Sequence, residues 1–321
     1  MKRAAQNRPP PKPCAATASA SGLRLGLCCQ FSAQPIKFRT TTATALLRLP
    51  RREQLARLAE LGAANAESLL AALRFCAAHG IGSFRICSPI LPIKTHPAVG
   101  YRVAELPGAD GIVAQFRRCG EFARAHGIRT GFHPDQFVVL NSPNGDIVAR
   151  SVADLESQAE IAAWTNADTV NIHGGGGYGD KPAALERFRR NLERLSPRAR
   201  ARLTVENDDK IFTPADLLPL CRAEGVPLVY DAHHHRCLPD DLTVEQATEA
   251  ARATWRKREP LFHISSPLEG WAGPKPERHH DYIDPTDFPA AWRNGALTVE
   301  VEAKAKELAV ARLQRDLTAA A

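Results

Sequence analysis

A chain of 321 residues, 44% hydrophobic and 24% charged, has an ordinary globular composition and room for one large α/β barrel or two average domains. No apolar run approaches a membrane span, and the first residues lack the apolar stretch of a secretory signal. The net charge of +7 permits a nucleic-acid partner without requiring one, because four of those charges (Lys2, Arg3, Arg8 and Lys12) sit in an acid-free stretch of 22 residues.

In chain order, residues 1–22 are rich in Pro, Ala and Ser and are expected to form a basic disordered tail, with 23–321 as one domain. The run "RLGLCCQF" (24–31) reads as the first strand and "REQLARLAELGAANAESLLAALRFCAAHG" (52–80) as a helix. "SFRICSPI" (83–90) is the second strand, followed by the helical "GIVAQFRRCGEFARAHG" (111–127). "RTGFHPDQFVVL" (129–140), "DTVNIHGG" (168–175) and "RLTVENDD" (202–209) follow, then the helical "PADLLPLCRAEG" (214–225). "PLVYDAHH" (227–234), "PLFHISS" (260–266) and "ALTVEVEA" (296–303) complete the set. Each of these helical segments ends in Gly, the residue favoured just past a helix C-terminus. Eight strand–helix alternations over about 300 residues match a (β/α)8 TIM barrel, with a doubly wound open sheet as the rival. The eight cysteines include no C-x-x-C pair, and adjacent Cys28 and Cys29 suit a buried strand, so reduced cytosolic thiols are expected.

Barrel strands send alternate residues inward and outward. Val170 and Ile172 therefore face the helices, and Asn171 and His173 the interior. By the same phase Thr204 and Glu206, then Leu261, His263 and Ser265, then Glu300 and Glu302 point inward. His133 in "FHPDQF" and Asp231 in "VYDAHHH" occupy equivalent places. Six runs thus end in His, Asp or Glu near the C-terminal mouth, where such barrels keep their active sites. One such residue alone is more often a hydrogen-bonded structural group. Six gathered without a metal would face large desolvation and repulsion costs. Mixed imidazole and carboxylate donors suit zinc or manganese, and a metal pair can activate water and clamp a phosphodiester. The "GGGGYGDK" segment (174–181) could cradle a phosphate, although it lacks the Lys-Ser/Thr ending of a P-loop.

The blocks "LGLCCQF", "FRTTTATAL", "HGIGSFRICS", "HPDQF", "NIHGGGGYGDK", "LTVENDD", "DAHHH", "HISSP", "RHHDYI" and "VEAKAKELA" resemble, in order, those of the UV damage endonucleases. The resemblance covers roughly residues 23–310. It implies a metal-dependent TIM barrel related to endonuclease IV, with its metal site at the C-terminal mouth. It implies nicking of duplex DNA immediately 5′ of cyclobutane dimers, (6-4) photoproducts and some abasic or distorted sites, leaving a 3′-hydroxyl and a 5′-phosphate. Two or three divalent ions are implied, manganese foremost, with zinc or magnesium as alternatives.

By position, the resemblance implies His133, His173, Glu206, Asp231, His234, His263, His279 and Glu302 as metal ligands. Glu206 takes the bridging position, and Gln30 and His96 are further active-site candidates. Gln136 and Phe137 resemble the pair that family members push into the duplex at the lesion. Without the resemblance, Phe137 could equally be core. His234 is selected over His233, which strict alternation would have favoured, so the chain must leave strand geometry just after Asp231. His233 and His235 are then expected to support the site or lie in a loop, and His280 to be a solvated neighbour of His279. Two departures stand out. Leu261 occupies the place of a family lysine that can be carboxylated to ligate metal, and Gln30 that of an asparagine. The remaining implications are damaged double-stranded DNA as partner, no membrane, a monomer, and a cytoplasmic, nucleoid-associated location. A metal-dependent sugar isomerase or epimerase on a similar barrel, or a damage-binding protein with impaired catalysis, are the alternatives.

Overall fold

The computed structural model describes residues 22–319. The expected tail, residues 1–22, lies outside them except for Gly22. Eight strands close in sequence order, every pairing parallel: β1 (Leu23–Cys28), β2 (Ser83–Ile86), β3 (Arg129–Phe132), β4 (Thr169–His173), β5 (Leu203–Glu206), β6 (Leu228–Asp231), β7 (Leu261–Ile264) and β8 (Leu297–Val301). Closure leaves no sheet edge, which excludes the open doubly wound alternative. Between β1 and β2 lie α1 (Ala43–Leu47) and α2 (Arg51–Ala78), followed by α3 (Ala109–Ala125) and α4 (Gly145–Thr165) after β2 and β3. After β4 come α5 (Lys181–Asn191) and α6 (Pro197–Arg200), and after β5 comes α7 (Pro214–Glu224). After β6 come α8 (Ala232–Cys237) and α9 (Val244–Thr254), while α10 (Glu307–Ala319) follows β8.

Several helices begin where the sequence places capping residues. Asp180 accepts from the Ala183 amide, and Thr213 and Thr243 cap α7 and α9 in reciprocal pairs with Asp216 and Gln246. The β7–β8 connection departs from the expected alternation, because it carries no α-helix. Five prolines (267, 274, 276, 285 and 289) and three glycines (270, 273 and 295) prevent one. Fully buried Trp292, in a short 3-10 turn, packs instead on Tyr230 and Phe262 and donates its indole N–H to Thr248 Oγ1 at 2.9 Å.

The interior is layered. At the N-terminal end, Leu261 packs with Val229 and Trp255 in a small cluster separate from the main core. Trp255 donates to Leu228 O at 2.8 Å, and the guanidinium groups of Arg129 and Arg258 stack on its ring. Leu261 therefore points inward as its phase requires, but it belongs to the apolar floor. The polar groups sit above it. The seven cysteines among the described residues are free thiols, and no helix there is long and apolar enough to cross a membrane.

Candidate metal centre and cavity

Glu206 stands at the centre of the polar layer, fully buried at the end of β5. Its Oε2 lies 2.9 Å from His133 Nε2 and 3.7 Å from His173 Nε2, and accepts from Asn171 Nδ2 at 2.6 Å. Its Oε1 lies 2.9 Å from His263 Nδ1 and 3.5 Å from His234 Nδ1. Thr204 donates to Asn171 Oδ1 at 2.9 Å, which fixes the amide that holds the carboxylate. Around this axis, three overlapping groups bring ligand atoms within 4.8 Å of one another: His133, His173 and Glu206; Glu206, Asp231 and His234; Asp231, His263 and Glu302.

The histidine triplet resolves into three roles. Asp231 caps α8, its Oδ1 accepting from the His234 amide at 2.8 Å. The helix starts directly after the strand, so the chain leaves extended geometry at the expected point and His234 turns toward Glu206. His235 bridges Tyr230 OH and Asp240 at 2.8 and 2.9 Å, a structural link. His233 is buried against Trp271 and His279, with ring centroids 5.2 Å from each. His279 arrives from the β7–β8 loop, where it pairs antiparallel with Pro267. Its Nδ1 is 3.3 Å from Ser265 Oγ and 3.9 Å from Glu302 Oε2. His280 takes no part, because its ring accepts from the nearby Tyr282 amide.

The donor set fits a divalent cation. Asp231 Oδ2 is buried with no hydrogen-bond partner, an unsatisfied anionic oxygen facing imidazoles and carboxylates. His133 Nδ1 sits 3.0 Å from Pro134 O, which selects the tautomer that leaves Nε2 facing Glu206. Burial alone would lower the pKa of His263, but Glu206 carries it up to about 10. His173 and His234 are also raised against the cost of burial, by Glu206 and by Asp231 with Glu206 respectively. Burial would raise Glu206, yet His263 and His173 hold it well below the usual carboxylate range. Burial dominates at His133, whose pKa is lowered.

Two groups outside the expected ligand set share this layer. Arg85 on β2 reaches Glu300 Oε2 at 2.5 Å, Glu302 Oε1 at 2.6 Å and His263 Nε2 at 2.9 Å. Glu300 also lies 3.2 Å from His263 Nε2. Gly26 makes room on the neighbouring strand, since a Cβ there would come within 3.2 Å of Glu300 Cγ. The phase rule places Glu300 inside, and Phe84 and Ile86 flank Arg85 on the outer face, so strand alternation could have found both.

Above the cluster opens a cavity of about 870 Å³ whose lining includes His173, His234, His279, Gln136, Phe137 and Tyr178. Phe137 is 75% exposed, which removes the reading of it as core; Val138, Val139 and Leu140 after it are the buried ones. Asp135 builds the turn, its Oδ1 accepting from the Phe137 amide and its carbonyl from Val138. Gln136 is exposed beside it. Gln30 and His96 are not among the residues that line this cavity. Gln30 is exposed beyond the end of β1, and His96 Nδ1 accepts from the Ala98 and Val99 amides of its own turn.

Comparison with known proteins agrees with this geometry. The sequence profile of the family described as UV-endonuclease UvdE matches residues 23–321. The UV DNA damage endonuclease of Deinococcus radiodurans is 36% identical over 303 residues, covering 91% of this chain and 94% of that protein. The crystal structure of SacUVDE superposes with a TM-score of 0.83 at 26% identity, over 93% of this chain and 99% of that one. Endonuclease IV from Thermus thermophilus shares the fold, with a TM-score of 0.60 at 18% identity over 92% and 98% of the two chains.

Proposed function

Because the chain belongs to the UV-endonuclease UvdE family, we propose that it nicks duplex DNA immediately 5′ of cyclobutane dimers, (6-4) photoproducts and some abasic or distorted sites, leaving a 3′-hydroxyl and a 5′-phosphate. It acts as a monomer on damaged DNA in the cytoplasm, at the nucleoid, with two or three divalent ions, manganese foremost. The observation that carries this reading is the buried Glu206, contacted by four histidines from four separate β–α connections and strands, beneath a cavity rimmed by exposed Phe137. His133, His173, Glu206, Asp231, His234, His263, His279 and Glu302 would hold the ions. Bound there, they supply charge to polarise the phosphodiester and activate water. The protein's part is to fix the donors: Asn171 locks Glu206, α8 aims His234, and Ser265 steadies His279. Leu261 lies in the floor below these donors, which favours retained catalysis over a binding-only role.

Incision of an end-labelled duplex carrying one dimer, with manganese present, tests the proposal. The expected product ends one nucleotide 5′ of the lesion and is extended by a polymerase, as a 3′-hydroxyl allows. Equal cutting of undamaged duplex, or a blocked 3′ end, would overturn it.

Phe137 sits where it can fill the gap left at a poorly stacked lesion. Phe137→Ala is expected to weaken binding to the dimer-containing duplex by about 1–3 kcal/mol, the scale of base–aromatic stacking. Fluorescence anisotropy measures it, and a loss equally large on undamaged duplex would remove Phe137 as a lesion wedge. A second expected result concerns protons. His263 is protonated at neutral pH in the metal-free protein, with its pKa at about 10, and His173 and His234 are shifted the same way. Ligation needs the neutral imidazole, so manganese uptake at pH 7 should release at least about one proton per protein. Metal affinity should then rise as pH climbs toward 10. Calorimetry in buffers of different ionisation enthalpy reads the release, and identical heats in all buffers would contradict it.

A further inference from the structure

The glycine-rich loop after β4 presents Tyr178, 49% exposed, to the same cavity as Phe137. Tyr178 has a φ of +49°, a left-handed conformation that costs a non-glycine residue on the order of 1 kcal/mol. The surroundings maintain it. Fully buried Asn141 donates its side-chain amide to Gly176 O at 2.7 Å. Arg187 Nε donates to Asn141 O at 2.8 Å, and its guanidinium carbon sits 5.4 Å from the Tyr178 ring centroid. Gly176 lies against the ring, where a Cβ would come within 2.9 Å of it. The ring is therefore preset in position, yet it joins neither apolar core cluster. A strained and braced aromatic that leaves half of itself open to the cavity is built to meet something else.

Building on the endonuclease reading, we propose that Tyr178 is a stacking platform for an unpaired nucleobase of the damaged strand, displaced from the duplex into the cavity. A phosphodiester held near Glu206 brings its flanking bases to the level of His173 and His279, which line this cavity together with Tyr178. Phe137 enters from the loop after β3 and Tyr178 from the next loop round the barrel, so one can take the place a base leaves while the other receives the base. Stacking uses the π-face common to all bases, which suits a site that must accept lesions of different chemistry. Bracing lowers the ordering cost of each contact.

The test compares wild type, Tyr178→Ala and Tyr178→Phe, with manganese present, on a dimer-containing duplex with 2-aminopurine beside the lesion and an uncleavable linkage at the incision site. Tyr178→Ala should bind the damaged duplex about 5- to 150-fold more weakly, the equivalent of one base stack. Binding to undamaged duplex should change less than about twofold on the same scale, since no base is displaced there. The 2-aminopurine, quenched in the wild-type complex, should brighten with Tyr178→Ala. Tyr178→Phe should behave as wild type in both readouts, and unchanged thermal melting would establish that the variants are folded. Wild-type affinity and quenching in Tyr178→Ala would overturn the proposal. So would a Tyr178→Phe defect as large as that of Tyr178→Ala, which would assign the effect to the hydroxyl. Failure of the wild type to prefer damaged duplex would instead overturn the endonuclease reading and this inference with it.

Discussion

Glu206→Gln is expected to remove manganese binding and strand incision together. The substitution preserves shape but replaces a buried anion with a neutral amide at the point where His133, His173, His234 and His263 meet. Supporting residues around metal sites are worth about 10- to 100-fold in affinity, so a shared ligand should cost more than about 100-fold. The metal-free protein should respond too. His263 is held near pKa 10 by Glu206, so with glutamine it is expected to lose its proton at a much lower pH. NMR titration of the His263 ring in the metal-free variant should show that shift, which separates loss of this carboxylate from general misfolding. Calorimetric titration with manganese, beside the incision assay, measures both effects. Retention of manganese affinity within about tenfold of wild type would exclude Glu206 as a ligand, whatever happened to incision.

Most of the scaffold was legible in the sequence because strand length, Gly punctuation and two-residue alternation are local signals. The inward phase of Asn171, Thr204, Glu206, His263 and Glu300 followed from period two alone, and each makes interior polar contacts. Signals that depend on how the chain leaves a strand were harder to read. His234 reaches Glu206 because α8 begins directly at Asp231, a helix too short to show a hydrophobic period. The β7–β8 connection lacks its helix, and nothing in periodicity says that a tryptophan in a 3-10 turn will cover those strands. Without the resemblance the character of Phe137 could not be read, because "FVVL" is apolar throughout while an Asx-type turn at Asp135 lifts its first member out. Leu261 shows the limit of phase without depth. The alternation that put it inside could not say that two residues along a strand separate an apolar floor from a charged layer. For Arg85, alternation gives the inward phase but not the partners that compensate its buried charge, Glu300 on β8 and Glu302 just past it, which lie 215 and 217 positions away.

That buried arginine supports the second large expectation. Arg85→Met should destabilise the metal-free protein by about 3–5 kcal/mol, because removing one partner strands the others as uncompensated buried charges. Arg85 is only 10% exposed and shares its guanidinium between Glu300 and Glu302, so both carboxylates would lose their cation. Glu300 reports this directly. Burial would raise its pKa, but Arg85, with help from His263, holds it at about 2. A depressed carboxylate contributes stability that is present above its unfolded pKa and lost as pH falls through the folded one. In wild type that contribution should therefore decline between about pH 4.5 and pH 2, and in Arg85→Met it should be smaller, with only His263 left to hold Glu300 down. The double variant Arg85→Met with Glu300→Leu removes both charges, and replacing a buried pair by apolar side chains is often nearly neutral. It should recover most of the stability that Arg85→Met loses, leaving Glu302 to its histidine partners and to added metal. Manganese should restore part of the single variant's loss, because an ion bound at Glu302 supplies the missing charge and stabilises the state that binds it. Denaturant unfolding of the four combinations, with and without manganese, measures the coupling. If the two single losses simply add in the double variant, the pair does not act as a unit, and Glu300 would then be a second, independent buried anion.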